Sequence, residues 1–200
     1  MADLRDFDAG RVAGQVAPNE ERLSMDLSKI TPGRNPPKDL HALIEIPYGG
    51  VPVKYEMDKA SGTLFVDRFL HTAMYYPGNY GFIPHTLSLD GDPIDVLVIA
   101  PVPVVAGAVI RCRPVGALIM TDQAGEDEKI LAVPVDALHP FYAGVQSYRD
   151  LPPILRDQTA HFFEHYKDLE KGKWTRLGDW VDAAEAEKLI MDAIERAKGK

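Results

Sequence analysis

The chain has 200 residues, 46% of them hydrophobic, and a formal net charge of -8. That length and apolar content support one sizeable core, and 16 prolines with 16 glycines predict many short elements joined by turns. The acidic balance argues against a general nucleic-acid binder and a polybasic membrane patch, since either needs surplus Lys and Arg to neutralise phosphates.

Residues 1–38 are polar, mixed in charge and aperiodic, and they end in the breakers Pro32-Gly33 and Pro36-Pro37. They predict a flexible or loosely docked arm ahead of a single domain over residues 39–200. The early residues lack the uninterrupted apolar core of a signal peptide, and Asp3, Asp6 and Asp8 speak against a transit peptide. No run approaches the roughly 18 apolar residues of a membrane span. Leu40 to Pro47 and Val51 to Met57 are strand-like. In the second, Val53, Tyr55 and Met57 alternate with Lys54 and Glu56, which therefore share a face. Such a pair is ordinarily a solvated face and counts toward a site only if other residues converge on it. Gly62 to Phe69 reads as a third strand carrying Asp67 and Arg68 toward opposite sides. Tyr75 to Phe82 is aromatic and loop-like, its tyrosines being either core or hydroxyls offered to an anion.

Asp90-Gly91-Asp92-Pro93-Ile94-Asp95 then places three carboxylates on a short turn that feeds the buried strand Val96-Leu97-Val98-Ile99. The turn is either ordinary solvated Asp-Gly chemistry or a rigid cradle for a hard cation. It is not an EF-hand, because Ile94, Asp95 and Pro101 stand where that loop needs an oxygen ligand, Gly and Glu. Val109 to Met120 is a long strand whose Pro114 and Gly116 imply a bulge that curls the sheet toward closure. Within it Cys112, the single cysteine, excludes an intramolecular disulfide, suits a reducing cytoplasm and reads as a small core residue. Thr121 to Lys129 is a second Gly-containing acidic loop leading into the apolar strand Ile130 to Pro134. Repetition of the design puts a metal site shared by both loops on an equal footing with two ordinary solvated turns.

Helical periodicity is confined to the last quarter. After Pro152-Pro153, a stripe of Ile154, Leu155, Phe162, Phe163, Tyr166 and Leu169 predicts one helix. Asp182 with Glu185 in capping-box spacing opens a second, with Ala186, Leu189, Ile190, Ala193, Ile194 and Ala197 on one face. The predicted fold is α+β and mainly β, an OB-like five-stranded antiparallel barrel with two C-terminal flanking helices. His161-Phe162-Phe163-Glu164-His165 matches the spacing of inverted zinc peptidases, but no third ligand accompanies it and the phenylalanines suit a packing helix. No P-loop pattern occurs.

These motifs together resemble the soluble family I inorganic pyrophosphatases, most of all the short bacterial type, from about Asn35 to the C-terminus. The match is carried, in the family's order, by Ile44-Glu45-Ile46-Pro47, Lys54-Tyr55-Glu56, Asp67-Arg68, Tyr76 to Gly81, Gly91-Asp92-Pro93, Asp122 with Asp127 and Lys129, and His161 to Lys167. The resemblance implies Mg2+-dependent hydrolysis of diphosphate on an OB-like barrel, in a homo-oligomer that is commonly a hexamer. It further implies that Asp90, Asp95 and Asp127 hold the first Mg2+, that Asp122 and Asp127 place ions arriving with substrate, and that Glu45 and Glu56 ligate through water. Asp92 would be the general base on a water between two metals. Lys54, Arg68, Tyr80, Lys129, Tyr166 and Lys167 would grip the diphosphate, with Tyr76 a near-site hydroxyl. Those seven carboxylates outnumber the four cations by three, so the bare cleft is expected to repel diphosphate until divalent ions, Mg2+ or Mn2+, reverse its sign. Two rivals are a non-catalytic OB-type barrel binding an oligonucleotide or other polyanion, which needs a basic groove with stacking aromatics, and a carboxylate-rich metal buffer.

Overall fold

The structure, a computed structural model, describes residues 25–199. Leu27–Lys29 form a 3-10 turn capped by Asp26, and β1 (Gly33–Asn35) pairs antiparallel with β2 (Asp39–Ile46). Met25, Leu27 and Ile30 pack against buried Leu43, Met57 and Phe82. The segment expected to be a flexible or loosely docked arm thus touches the domain at Met25, Leu27 and Ile30, while residues 1–24 lie outside the described residues. Too few apolar residues stand at regular spacing there to signal an element, yet each finds a place on the domain.

After a hairpin of β3 (Val53–Asp58) and β4 (Thr63–Phe69), the chain runs through β5 (Asn79–Phe82), β6 (Asp95–Val98), β7 (Val109–Asp122), the short β8 (Gly125–Glu126) and β9 (Lys129–Pro134). Helix α1 (Pro153–His165), β10 (Thr175–Asp182) and helix α2 (Ala183–Lys198) complete it. The strands β2, β5, β6, β9 and β7 pair in that order, and β7 pairs again with β2 to close a five-membered ring. That ring is the OB-like barrel. Its ladder is antiparallel except between β6 and β9, which run parallel with Asp95 opposite Lys129. The expected antiparallel barrel has this one parallel seam, which matters because each of these strands follows an acidic loop. Running side by side in one direction, they bring both loops to the same mouth of the barrel.

Closure follows from local sequence. The register of β7 against β9 slips between Pro114 and Gly116, the bulge expected there. Gly81 in β5 lies so close on β2 that a Cβ would stand 1.8 Å from the Leu43 carbonyl oxygen, so only glycine fits. This strand was hidden in the sequence by the tyrosines and glycines of the run Tyr75 to Phe82 in which it lies, and β10 was not foreseen at all. On β6 and β9, Leu97, Leu131 and Val133 join a core shared with Phe162 and Phe163 of α1. Their neighbours Val96, Val98, Ile130 and Ala132 join a second core shared with Ala186, Ile190 and Ala193 of α2. Burial on both faces explains why these strands read as unbroken apolar runs. Helix α2 begins where Asp182 accepts a hydrogen bond from the Glu185 N–H at 3.2 Å. No helix among the described residues is long and apolar enough to cross a membrane.

Candidate active site

The mouth of the barrel holds a cleft of about 280 Å³. The first acidic turn forms one wall. Gly91 adopts φ +97°, a left-handed conformation that glycine tolerates, and the Asp92 N–H donates to Asp90 Oδ1 at 3.0 Å. At the end of this turn Asp95 opens β6, where the Tyr80 hydroxyl donates to Asp95 Oδ2 at 2.6 Å. Across the parallel seam the Lys129 ammonium bonds both Asp95 and Asp127. Asp122 closes β7, accepting from the Ala124 N–H at 2.6 Å and from Lys167 Nζ at 2.7 Å.

The β3–β4 hairpin supplies the opposite wall. Lys54 and Arg68 are cross-strand partners, which explains how residues far apart in sequence meet. Lys54 bonds Glu56, and Arg68 bonds Glu170 through Nε at 3.1 Å and Asp67 through Nη1 at 2.6 Å. Asp67 and Arg68, expected on opposite sides of the strand, thus curl together at the rim. Glu45 reaches the cleft from β2 and accepts from the Met57 N–H at 2.7 Å.

Burial governs the charges. It pushes Glu45 up to about 7, against the Met57 hydrogen bond and with help from Asp95. Burial also raises Asp90, and it raises Asp127 despite the Lys129 ammonium beside it. For Asp122 burial is outweighed by Lys167 and the Ala124 N–H, and the carboxyl is held below its ordinary range. Burial opposes the Lys129 charge, but Asp95 and Asp127 more than offset it and hold the ammonium protonated well beyond neutrality. Tyr80 is raised by burial and stays a neutral donor.

Asp90, Asp92, Asp95, Asp122 and Asp127 all line this one cleft, as do Glu45 and Glu56. Lys54, Arg68, Tyr80, Lys129, Tyr166 and Lys167 line it as well. Tyr76 does not: it is buried behind the site, its ring 4.8 Å from that of Tyr80 and 4.5 Å from that of Phe162. Sequence reasoning missed Lys59, whose Nζ is 3.2 Å from Asp92, and Lys173, held by Glu170 at 2.8 Å. Lys59 lies just past a strand end, where no periodicity marks it. These two lysines cut the acid excess of the cleft from three to one, so the expected repulsion of an anion is weaker than sequence suggested. The rings of His161 and His165 lie 4.7 Å apart on α1, tilted at 57° to one another, and neither lines the cleft.

The donor set fits hard divalent cations, since every group offered is a carboxylate oxygen. Among the described residues no three acids stand gathered for a metal. Asp95 and Asp127 instead face each other across the width of one ammonium, the Lys129 Nζ, which satisfies both carboxylates as a cation would.

Fold and site together define an OB-like barrel whose mouth interleaves carboxylates with lysines and an arginine. The family model described as inorganic pyrophosphatase matches residues 42–198. The inorganic pyrophosphatase of Caulobacter vibrioides is 69% identical over 172 residues, covering 86% of this chain and 97% of that protein. The Escherichia coli K12 inorganic pyrophosphatase is 56% identical, covering 88% and 100%. Among solved structures, the Thermus thermophilus inorganic pyrophosphatase superposes with a TM-score of 0.83 at 39% identity, covering 88% of this chain and 100% of that one. The chain belongs to the inorganic pyrophosphatase family.

Proposed function

We propose that this cleft carries out the family's reaction, hydrolysis of inorganic pyrophosphate to two phosphates, with Asp92 as general base and divalent cations, Mg2+ foremost, as cofactor. The observation that carries the reading is the convergence of both acidic loops and the Lys54–Arg68 pair on one cleft. Asp90, Asp95, Asp122 and Asp127 would hold the ions, with Glu45 and Glu56 reaching them through water. When bound, such ions neutralise diphosphate charge and lower the pKa of the attacking water.

The chain's own groups do the rest. Arg68 enters oriented by Asp67 and Glu170, so its planar guanidinium meets two phosphate oxygens without first losing much freedom. Lys54, Lys129 and Lys167 supply point charges, and Tyr80 and Tyr166 donate hydroxyls to oxygens that gain charge as the P–O bond breaks. Asp92 stands exposed, its ion pair with exposed Lys59 being worth about 0–1 kcal/mol, so its carboxylate is free to take the water's proton.

Phosphate release from diphosphate tests this. Activity is expected with Mg2+, lost in EDTA and restored by added Mg2+. An unchanged rate in EDTA would overturn the cofactor, and no release with Mg2+ would overturn the enzyme. A homo-oligomer, proposed as a hexamer, is supported by a solvent-facing groove of about 460 Å³ lined by Tyr48, Tyr75, Pro77 and Ile154. Light scattering that returned a monomer would remove that proposal. The compartment proposed is the cytoplasm, on the strength of a single, buried cysteine. A fractionation that recovered the protein elsewhere would contradict it.

A further inference from the structure

Glu128 lies between Asp127 and Lys129, two residues that line the cleft, yet it is not part of the cleft lining. It is only 6% exposed, and its Oε1 accepts a hydrogen bond from Ser88 Oγ at 3.0 Å. A buried carboxylate is costly, so a position that keeps one calls for a use. Ser88 stands at the base of the first acidic turn. Its N–H donates to the Asp92 carbonyl at 2.7 Å, and its carbonyl accepts from the Gly91 N–H at 3.2 Å. The preceding residues are anchored elsewhere: Thr86 Oγ1 accepts from the Ile94 N–H at 3.0 Å, and Arg196 Nε of α2 donates to the Leu87 carbonyl at 2.7 Å. The Glu128–Ser88 bond is a second side-chain tie between the two loops beside Lys129–Asp95, and it alone of the two acts at the base of the first turn, where the Ser88 backbone holds Gly91 and Asp92.

We propose that Glu128 is a positioning residue. Acting through Ser88, it sets the spacing between Asp90 and Asp92 on one loop and Asp127 and Lys129 on the other, without itself touching substrate. The two loops meet at a parallel seam only four residues long, and their tips project beyond it, so the ladder alone leaves the turn free to tilt. A tie at its base removes that freedom. The inference rests on the reading of Asp92 as base.

The test compares Glu128→Ala, Glu128→Gln, Ser88→Ala and the Glu128→Ala/Ser88→Ala double, with Asp92→Asn in the same phosphate-release assay. Glu128→Ala and Ser88→Ala are each expected to lower kcat about ten-fold and raise the Mg2+ concentration for half-maximal rate several-fold. The KM for diphosphate should stay within about two-fold. The double variant should fall no further than the worse single, because both cut one tie. Glu128→Gln keeps the accepting Oε1 and should return to within about two-fold of the parent rate. Parental kcat and Mg2+ dependence in both alanine variants would overturn the proposal. So would losses that multiply in the double, or a glutamine variant as slow as alanine. If Glu128→Ala does not fold, Ser88→Ala carries the test, since it removes one oxygen. Asp92→Asn at the parental rate would strike the base assignment; a slow Asp92→Asn beside unchanged Ser88→Ala and Glu128→Ala would strike this inference alone.

Discussion

The two acidic loops look alike as sequence, each a glycine-containing turn ahead of an apolar strand, but they end in opposite electrostatic states. In Asp122–Lys129 the charges that face the cleft are buried or half-buried and paired: Lys129 is 4% exposed between Asp95 and Asp127, and Lys167 covers Asp122. In Asp90–Asp95 the tip is open, and Asp92, with its side chain 77% exposed, faces only an exposed lysine. Pairing in low dielectric makes the second loop a fixed wall. Exposure leaves the first open to solvent. One loop holds its charges in buried pairs and the other presents a carboxylate to the open cleft.

Breaking the open loop should have the largest effect. Asp92→Asn is expected to lower kcat by about 10²–10⁴ while Mg2+ binding, followed calorimetrically, survives. A variant that kept its rate would move the base elsewhere. Breaking the buried loop should next cost stability. Lys129→Met leaves Asp95 and Asp127 facing each other without a cation and should lower unfolding free energy by about 3–5 kcal/mol in EDTA. Mg2+ should recover much of that loss in urea melts, and a variant indifferent to Mg2+ would argue against a cation between those carboxylates.

A pH series sharpens the role of burial. Glu45 has a folded pKa of about 7 against its ordinary 4.5, so between those values the folded state holds a proton the unfolded chain has released. Stability without metal should therefore fall as pH rises through that window, by at most about 3 kcal/mol, and the effect should vanish below it. Glu45→Gln should flatten the slope, and an unchanged slope would assign it to another group. The smallest change belongs to the exposed pair: Lys59→Ala should shift stability by no more than about 1 kcal/mol, as thermal melting would show.

Much of this architecture was legible in the residues. The alternation through Lys54 and Glu56, the bulge at Pro114 and Gly116, and the cap at Asp182 are local effects, and local sequence specifies them. Asn79–Phe82 was misread as loop because its glycine is demanded by the adjacent paired strand, distant in sequence, and not by a turn of its own. Docking of residues 25–38, Lys59 against Asp92, and Glu128 against Ser88 all depend on partners distant in sequence.

The sequence by itself determined the barrel class, the kinds of side chain available for phosphate and metal chemistry, and the two turns that present the acids, because periodicity, glycine and proline act within a few residues. Only the tertiary structure decided that β6 and β9 run parallel, so that Asp95 meets Lys129 and both turns share one mouth. Which acids are buried and paired, and which one stands open, follows from that packing, since desolvation is a property of the folded surroundings and of no residue alone.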